Sequence, residues 1–130
     1  MFSHVFVGTN DVERAKRFYD AVFAVLDAAP GTIGTNKTGQ RRVIYRHDGA
    51  TFAATEPING QPATVGNGGT IGFRCSSEEQ VKAFHDAGVA AGGTSIEDPP
   101  GWREGSAGRL YLAYLRDPDG NKLCALYRPA

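Results

Sequence analysis

Few side chains in this sequence could do chemistry, and they are scattered along it. His4 stands in the first apolar run, Cys124 in the last, and Cys75 closes another in between. Imidazole and thiolate both bind divalent metals, and a thiolate is also a nucleophile. Nothing near Cys124 in sequence obviously lowers its pKa, so it reads first as a packed thiol and second as a ligand-contacting or reactive one. His4 reads first as a hydrogen-bonded structural residue. Phe6 shares its strand parity and would form an apolar wall beside it. Arg74 has the parity of Thr70 and Gly72, and a charge on such a face needs a carboxylate or an anionic ligand. Trp102 is the single tryptophan and precedes Arg103-Glu104. That cluster would clamp an anionic or aromatic ligand by guanidinium pairing and stacking, or else form a solvated loop pinned by the indole.

Other chemistries find no support. No stretch matches the phosphate-binding G-x-x-x-x-G-K-[ST] loop, and Gly66-Asn-Gly-Gly69 precedes a strand rather than a helix. Ser76, Ser77, Ser95 and Ser106 lack a nucleophile-elbow context. His47, next to a turn, and His85, on a helix, read as surface or half-buried side chains.

The bulk composition narrows the field. The 130 residues fit one domain, or two small halves sharing a core. Fourteen Lys plus Arg balance fourteen Asp plus Glu, which argues against a nucleic-acid or acidic-membrane surface. No apolar run is long enough to span a membrane, and Met1 to Gly8 has no signal-peptide pattern. Two cysteines make no disulfide framework. The expectation is a cytoplasmic protein with reduced, buried thiols.

The elements that must position these side chains follow from periodicity. Residues 2–8 alternate as a strand. Thr9-Asn10-Asp11 offers N-cap oxygens, and Val12, Ala15, Phe18, Tyr19, Val22 and Leu26 recur at helical spacing within Asp11 to Ala28. Pro30-Gly31 is expected to end that helix. A weakly patterned strand is expected within 31–39, then strands over 41–47 and 50–55 joined at Asp48-Gly49. Residues 57–69, rich in Pro and Gly, form a linker. A strand over 70–75, a helix over about 77–91 and a short strand over 94–97 come next. Residues 98–108 read as a polar loop. Arg109 to Arg116 and Lys122 to Tyr127 are strands joined by the turn Asp117-Pro-Asp-Gly-Asn121.

The order repeats, and so does the sequence. Lys16-Arg-Phe-Tyr-Asp-Ala21 is echoed by Lys82-Ala-Phe-His-Asp-Ala87, an offset of 66 that also aligns Val5 with Ile71 and His4 with Thr70. Asp48-Gly49 and Asp119-Gly120 occupy matching turns. Two βαβββ modules, about 1–58 and 69–130, are therefore expected in a single domain. Each leaves one sheet face bare opposite its helix. The fold class is α+β, a curved mixed sheet with a central cleft and helices on the outer face. Clefts between halves are favoured ligand sites.

With His4, the helix Asp11 to Tyr19, the paired βαβββ order and Asp117 to Lys122 in place, the chain resembles the vicinal oxygen chelate superfamily. That superfamily includes glyoxalase I, bleomycin-resistance proteins and extradiol dioxygenases. The resemblance covers essentially the whole chain and implies homodimers, in some members with modules exchanged between chains. In metal-dependent members, one position in the first strand and one in the last strand of each module carry His or Glu. Here those positions match His4 and Thr70, then Ala53 and Cys124. Only His4 and Cys124 are good donors, and two are too few. Glu56 would substitute for Ala53 only through a bulge, because its parity is opposite. No cofactor is therefore expected, and a divalent metal, if held at all, would involve His4 and Glu56. The resemblance then implies a protein that binds a small, anionic or aromatic ligand in a cleft lined by His4, Phe6, Thr70, Arg74, Trp102, Arg103 and Cys124. A metal-dependent lyase or dioxygenase and a non-catalytic dimerising module are the alternatives.

Overall fold

The structure, a computed structural model, describes residues 1–130. Strand β1 (His4–Gly8) leads into helix α1 (Val12–Ala24), then β2 (Thr32–Thr35), β3 (Arg41–His47) and β4 (Ala50–Thr55). The second half repeats the order as β5 (Ile71–Arg74), α2 (Glu78–Ala90), β6 (Thr94–Gly105), β7 (Gly108–Arg116) and β8 (Lys122–Tyr127). The fold is α+β with two βαβββ modules, as the internal repeat predicts. Hydrogen bonding resolves the strands into two four-stranded mixed sheets of matching topology, β1-β4-β3-β2 and β5-β8-β7-β6. In each, the first strand runs parallel to the last, and the other pairs are antiparallel.

Alternation along each strand decides which side chains go inside. Val5 and Val7 of β1, Val43 and Tyr45 of β3, and Phe52 and Ala54 of β4 pack under α1. Phe73, Tyr111, Ala113, Leu115, Leu123 and Ala125 do the same under α2. The two sets are one core. Phe52 and Phe73 lie 5.8 Å apart across the modules, and Phe23 lies 5.2 Å from Phe73. Buried Phe18, Tyr19, Val22, Val81 and Phe84 supply the helical side. Each such side chain contributes roughly 1.5–3 kcal/mol on burial.

Helix α1 is shorter than expected. It ends at Ala24, not near Ala28, because the chain turns before Pro30 is reached. Asp27 takes a left-handed φ of 64°, its N–H bonds Ala24 O at 3.0 Å, and Ala28 N–H bonds Phe23 O at 3.0 Å. That pairing closes a helix in the way a glycine usually does. A second difference concerns residues 98–108, expected as a loop. Residues 98–105 belong to strand β6. Two prolines are tolerated there because β6 is an edge strand and its register with β7 shifts between Ile96 and Gly101. Glu97, with φ of 59°, sits in that irregularity.

Residues 57–69 form no helix or strand. Asn10 fastens this segment, donating to Ala63 O at 3.3 Å and accepting from Ala63 N at 2.7 Å.

Candidate functional site

The faces opposite the helices carry the chemistry. Register puts His4 beside Thr51 and Phe6 beside Ala53, and pairs Thr51 with Arg46, Ala53 with Ile44 and Thr55 with Arg42, all on the bare face of the first sheet. His4 and Phe6 meet edge to face at 5.5 Å. Ser3 Oγ lies 2.7 Å from His4 Nδ1. The Arg42 guanidinium lies 5.4 Å from the centre of the Phe6 ring. Strand β4 lies between Arg42 and Phe6, and its Ala53, the register partner of Phe6, is fully buried.

The second sheet has its own bare face. Gly72 pairs with Cys124, and Cys124 with Tyr114, so the three line up across β5, β8 and β7. Arg74 is exposed beside them, and Thr70 is exposed just before β5. Lys122 Nζ stands 4.6 Å from the Tyr114 ring centre and 2.5 Å from Glu97 Oε2. Cys124 is buried, and burial raises its thiol pKa to about 11. Burial likewise raises Cys75 to about 11. Both are protonated at neutral pH.

The expected cleft residues therefore fall into separate groups. His4 and Phe6 are in contact, while Arg74 and Cys124 share the bare face of the second sheet one pairing step apart. No hydrogen bond, ion pair or ring contact joins the first group to the second. Trp102 is on the opposite face from the one expected. It pairs with Tyr111, meets that ring at 5.3 Å and packs on the core, because residues 101–105 are strand rather than loop. Arg103 has bare-face parity, but its Nη2 donates to Asp98 O at 3.2 Å and Pro99 O at 2.9 Å, bracing the β6 irregularity. His85, expected at the surface or half-buried, is buried and lies 2.8 Å from Ser95 Oγ through Nε2.

The donor set does not fit a divalent metal. No group of three or more His, Cys, Asp or Glu side chains converges anywhere. Glu56 Oε1 accepts from Arg41 N at 2.6 Å, which ties this carboxylate to the end of the β3–β4 ladder, and no His or Cys converges on it. Ala53 offers no donor.

An apolar cavity of about 220 Å³ also lies between the modules. Val5, Phe23, Phe52, Ile71 and Phe73 line it, and exposed Phe2 stands at its edge. Most of its lining is core, and it reaches Thr51 and Gly72 at the edges of the two sheets.

Sequence reasoning missed Arg42 and Arg46. The signal was present: in Arg41-Arg-Val-Ile-Tyr-Arg-His47 the alternation that buries Val43 and Tyr45 turns Arg42, Ile44 and Arg46 the other way.

This architecture is that of the glyoxalase fold, and the chain belongs to the Glyoxalase/Bleomycin resistance protein/Dioxygenase superfamily, whose sequence profile matches residues 1–125. A glyoxalase/bleomycin resistance protein from Albidiferax ferrireducens T118 is 59% identical, with a TM-score of 0.90 over 98% of this chain and 99% of that one. A glyoxalase-related enzyme from Fulvimarina pelagi shares the fold at 21% identity and a TM-score of 0.72, covering 99% of this chain and 88% of that one. Lactoylglutathione lyase from Agrobacterium tumefaciens does so at 19% identity and 0.65, covering 98% and 92%. No curated protein matches the sequence. No helix is long and apolar enough to cross a membrane.

Proposed function

We propose that this protein binds a small organic ligand on the bare sheet faces, without a resident divalent metal, as a cytoplasmic homodimer. The observation that carries the reading is the donor set. The family's usual ligand positions hold His4, Thr70, Ala53 and Cys124, while His4, Phe6 and Arg42 form a contiguous polar and aromatic surface that the protein's own core does not use. Such a surface suits a ligand with a planar or anionic part. Phe2 is 73% exposed in the single chain, which supports a second copy packing beside the start of β1.

Metal analysis of purified protein tests the first part. The expected result is sub-stoichiometric metal that His4→Ala leaves unchanged. Stoichiometric metal lost in His4→Ala would sink the metal-free reading. Thermal shifts against a small-molecule library test ligand binding, since a ligand of the native state raises the melting temperature by mass action. Sedimentation equilibrium tests the dimer; a monomer at tens of micromolar would refute it.

A further inference from the structure

The charges of this protein balance overall but are segregated by face. Strands β1 to β4 contain no Asp or Glu at all. They do contain Arg41, Arg42 and Arg46. Arg41 has the helix-side parity and is paired with Glu13 of α1 at 2.6 Å. Arg42 and Arg46 have bare-face parity, and neither is within 4.0 Å of a carboxylate in any of the molecule's ion pairs. Arg42 is half-buried, its Nε is shut off from solvent, and that nitrogen has no hydrogen-bond partner. A guanidinium with one buried, unpartnered N–H and no carboxylate of its own is short of an acceptor, and the usual compensation is an anion. The Arg42 guanidinium also lies over the Phe6 ring, 5.4 Å from its centre, which places its N–H donors beside an aromatic surface. Beside it, Gly34 of β2 leaves open space where a side chain would stand.

We propose that the bare face of the first module is a site for an aromatic carboxylate. The carboxylate pairs end-on with the Arg42 guanidinium, Arg46 adds a second positive charge, and the ring lies against Phe6 and His4. A carboxylate matches the planar guanidinium with two parallel hydrogen bonds. An apolar aromatic body matches the exposed edge-to-face pair His4–Phe6. The inference rests on the ligand-binding reading above and adds to it the ligand's charge, its class and the residue that selects it.

The test uses the full-length protein at low salt, titrated with benzoate, with its neutral isostere benzamide and with phenyl phosphate. Binding is followed by calorimetry and by the His4 ring resonances in NMR. Benzoate is expected to bind saturably, shift the His4 signals and weaken as salt is added. Arg42→Gln is expected to weaken benzoate about tenfold or more, as loss of a charge-assisted bond does. Arg42→Lys keeps the charge, loses the fork and is expected to fall between. Arg17→Gln, an exposed site on α1, should bind as the parent does. If benzoate and benzamide bind equally, the anion inference fails while the ligand-binding reading stands. Tighter binding of phenyl phosphate than of benzoate overturns the carboxylate class. Benzoate affinity unchanged in both folded Arg42 variants overturns the site. A library that yields no ligand of any kind removes the underlying reading as well.

Discussion

At the scale of single residues, protonation and facing decide what is available. Cys124 lies on the bare face of the second sheet, yet burial raises its thiol pKa to about 11. Native protein should therefore react slowly with iodoacetamide at pH 7.5, and a unit of pH should speed the reaction about tenfold while the thiolate is scarce. Fast labelling of Cys124 at pH 7.5 would contradict this. The same shift has a stability consequence. A thiol whose folded pKa lies above its ordinary value of 9.0 binds its proton more tightly in the folded state. Its contribution is whole below pH 9 and is lost as pH rises through about 11. Tyr19, also raised by burial and by Asp117, adds in the same direction at higher pH. Denaturation midpoints should hold steady from pH 7 to 9 and fall between 9 and 11. Trp102 gives a simpler check. Because it packs on the helix side against Tyr111, benzoate bound on the bare face should leave its emission maximum unmoved. A shift in that maximum would place the ligand elsewhere.

At the scale of elements, the turn Asp117 to Asn121 fastens one module to the other. Asp117 is buried and accepts from Tyr19 Oη at 2.5 Å, Asp119 N at 3.0 Å, and Asn121 N and Nδ2 at 2.9 Å each. Asp119 accepts from Arg14 at 2.8 Å and from Asn10 N at 2.9 Å, both next to or within α1. Asn121 Nδ2 also reaches Gly8 O at 3.0 Å. Asp117→Ala orphans several donors at once and should cost about 3 kcal/mol or more in urea denaturation. Tyr19→Phe removes one bond to a charged group and should cost roughly 1.5–3 kcal/mol. A cost under half of that for Asp117→Ala would mean the turn serves only its own hairpin. Gly93 makes a related point. A Cβ there would stand 2.7 Å from Phe18, 2.8 Å from Arg116 O and 2.9 Å from Gly88 O. Two of these are backbone oxygens that cannot swing aside, so Gly93→Ala should destabilise by about 1–3 kcal/mol.

At the scale of the whole molecule, the modules are repeats in sequence but not independent bodies. Their inner faces share one cluster in which Phe23, Phe52, Phe73 and Phe84 pass contacts from half to half. Each half alone is near 60 residues, a size at which burial is marginal even with a complete core. Residues 1–58 and 69–130 expressed separately should show little dispersion in amide NMR spectra. A folded spectrum from either fragment would refute a shared core. Outer faces are a different matter. They are bare in the single chain, and the cationic first face opposes no acid of its own sheet.

Much of this was legible in the sequence alone, because alternation and helical spacing are local and the repeat doubles every signal. The βαβββ order, the turn at Asp117 to Asn121, the inward Val43 and Tyr45 and the shared face of His4 and Phe6 all follow from period and parity. Tertiary structure decided what parity along one strand cannot. Trp102 changed faces because an edge strand absorbed two prolines and a register shift, which no local pattern announces. Glu56 is committed to Arg41 N, a partner fifteen positions away. The guanidinium of Arg42 reaches Phe6 across β4, and the strand order that puts β1 on the far side of β4 is one that the sequence does not spell. Faces are a property of a strand, whereas neighbours across a sheet are a property of the fold.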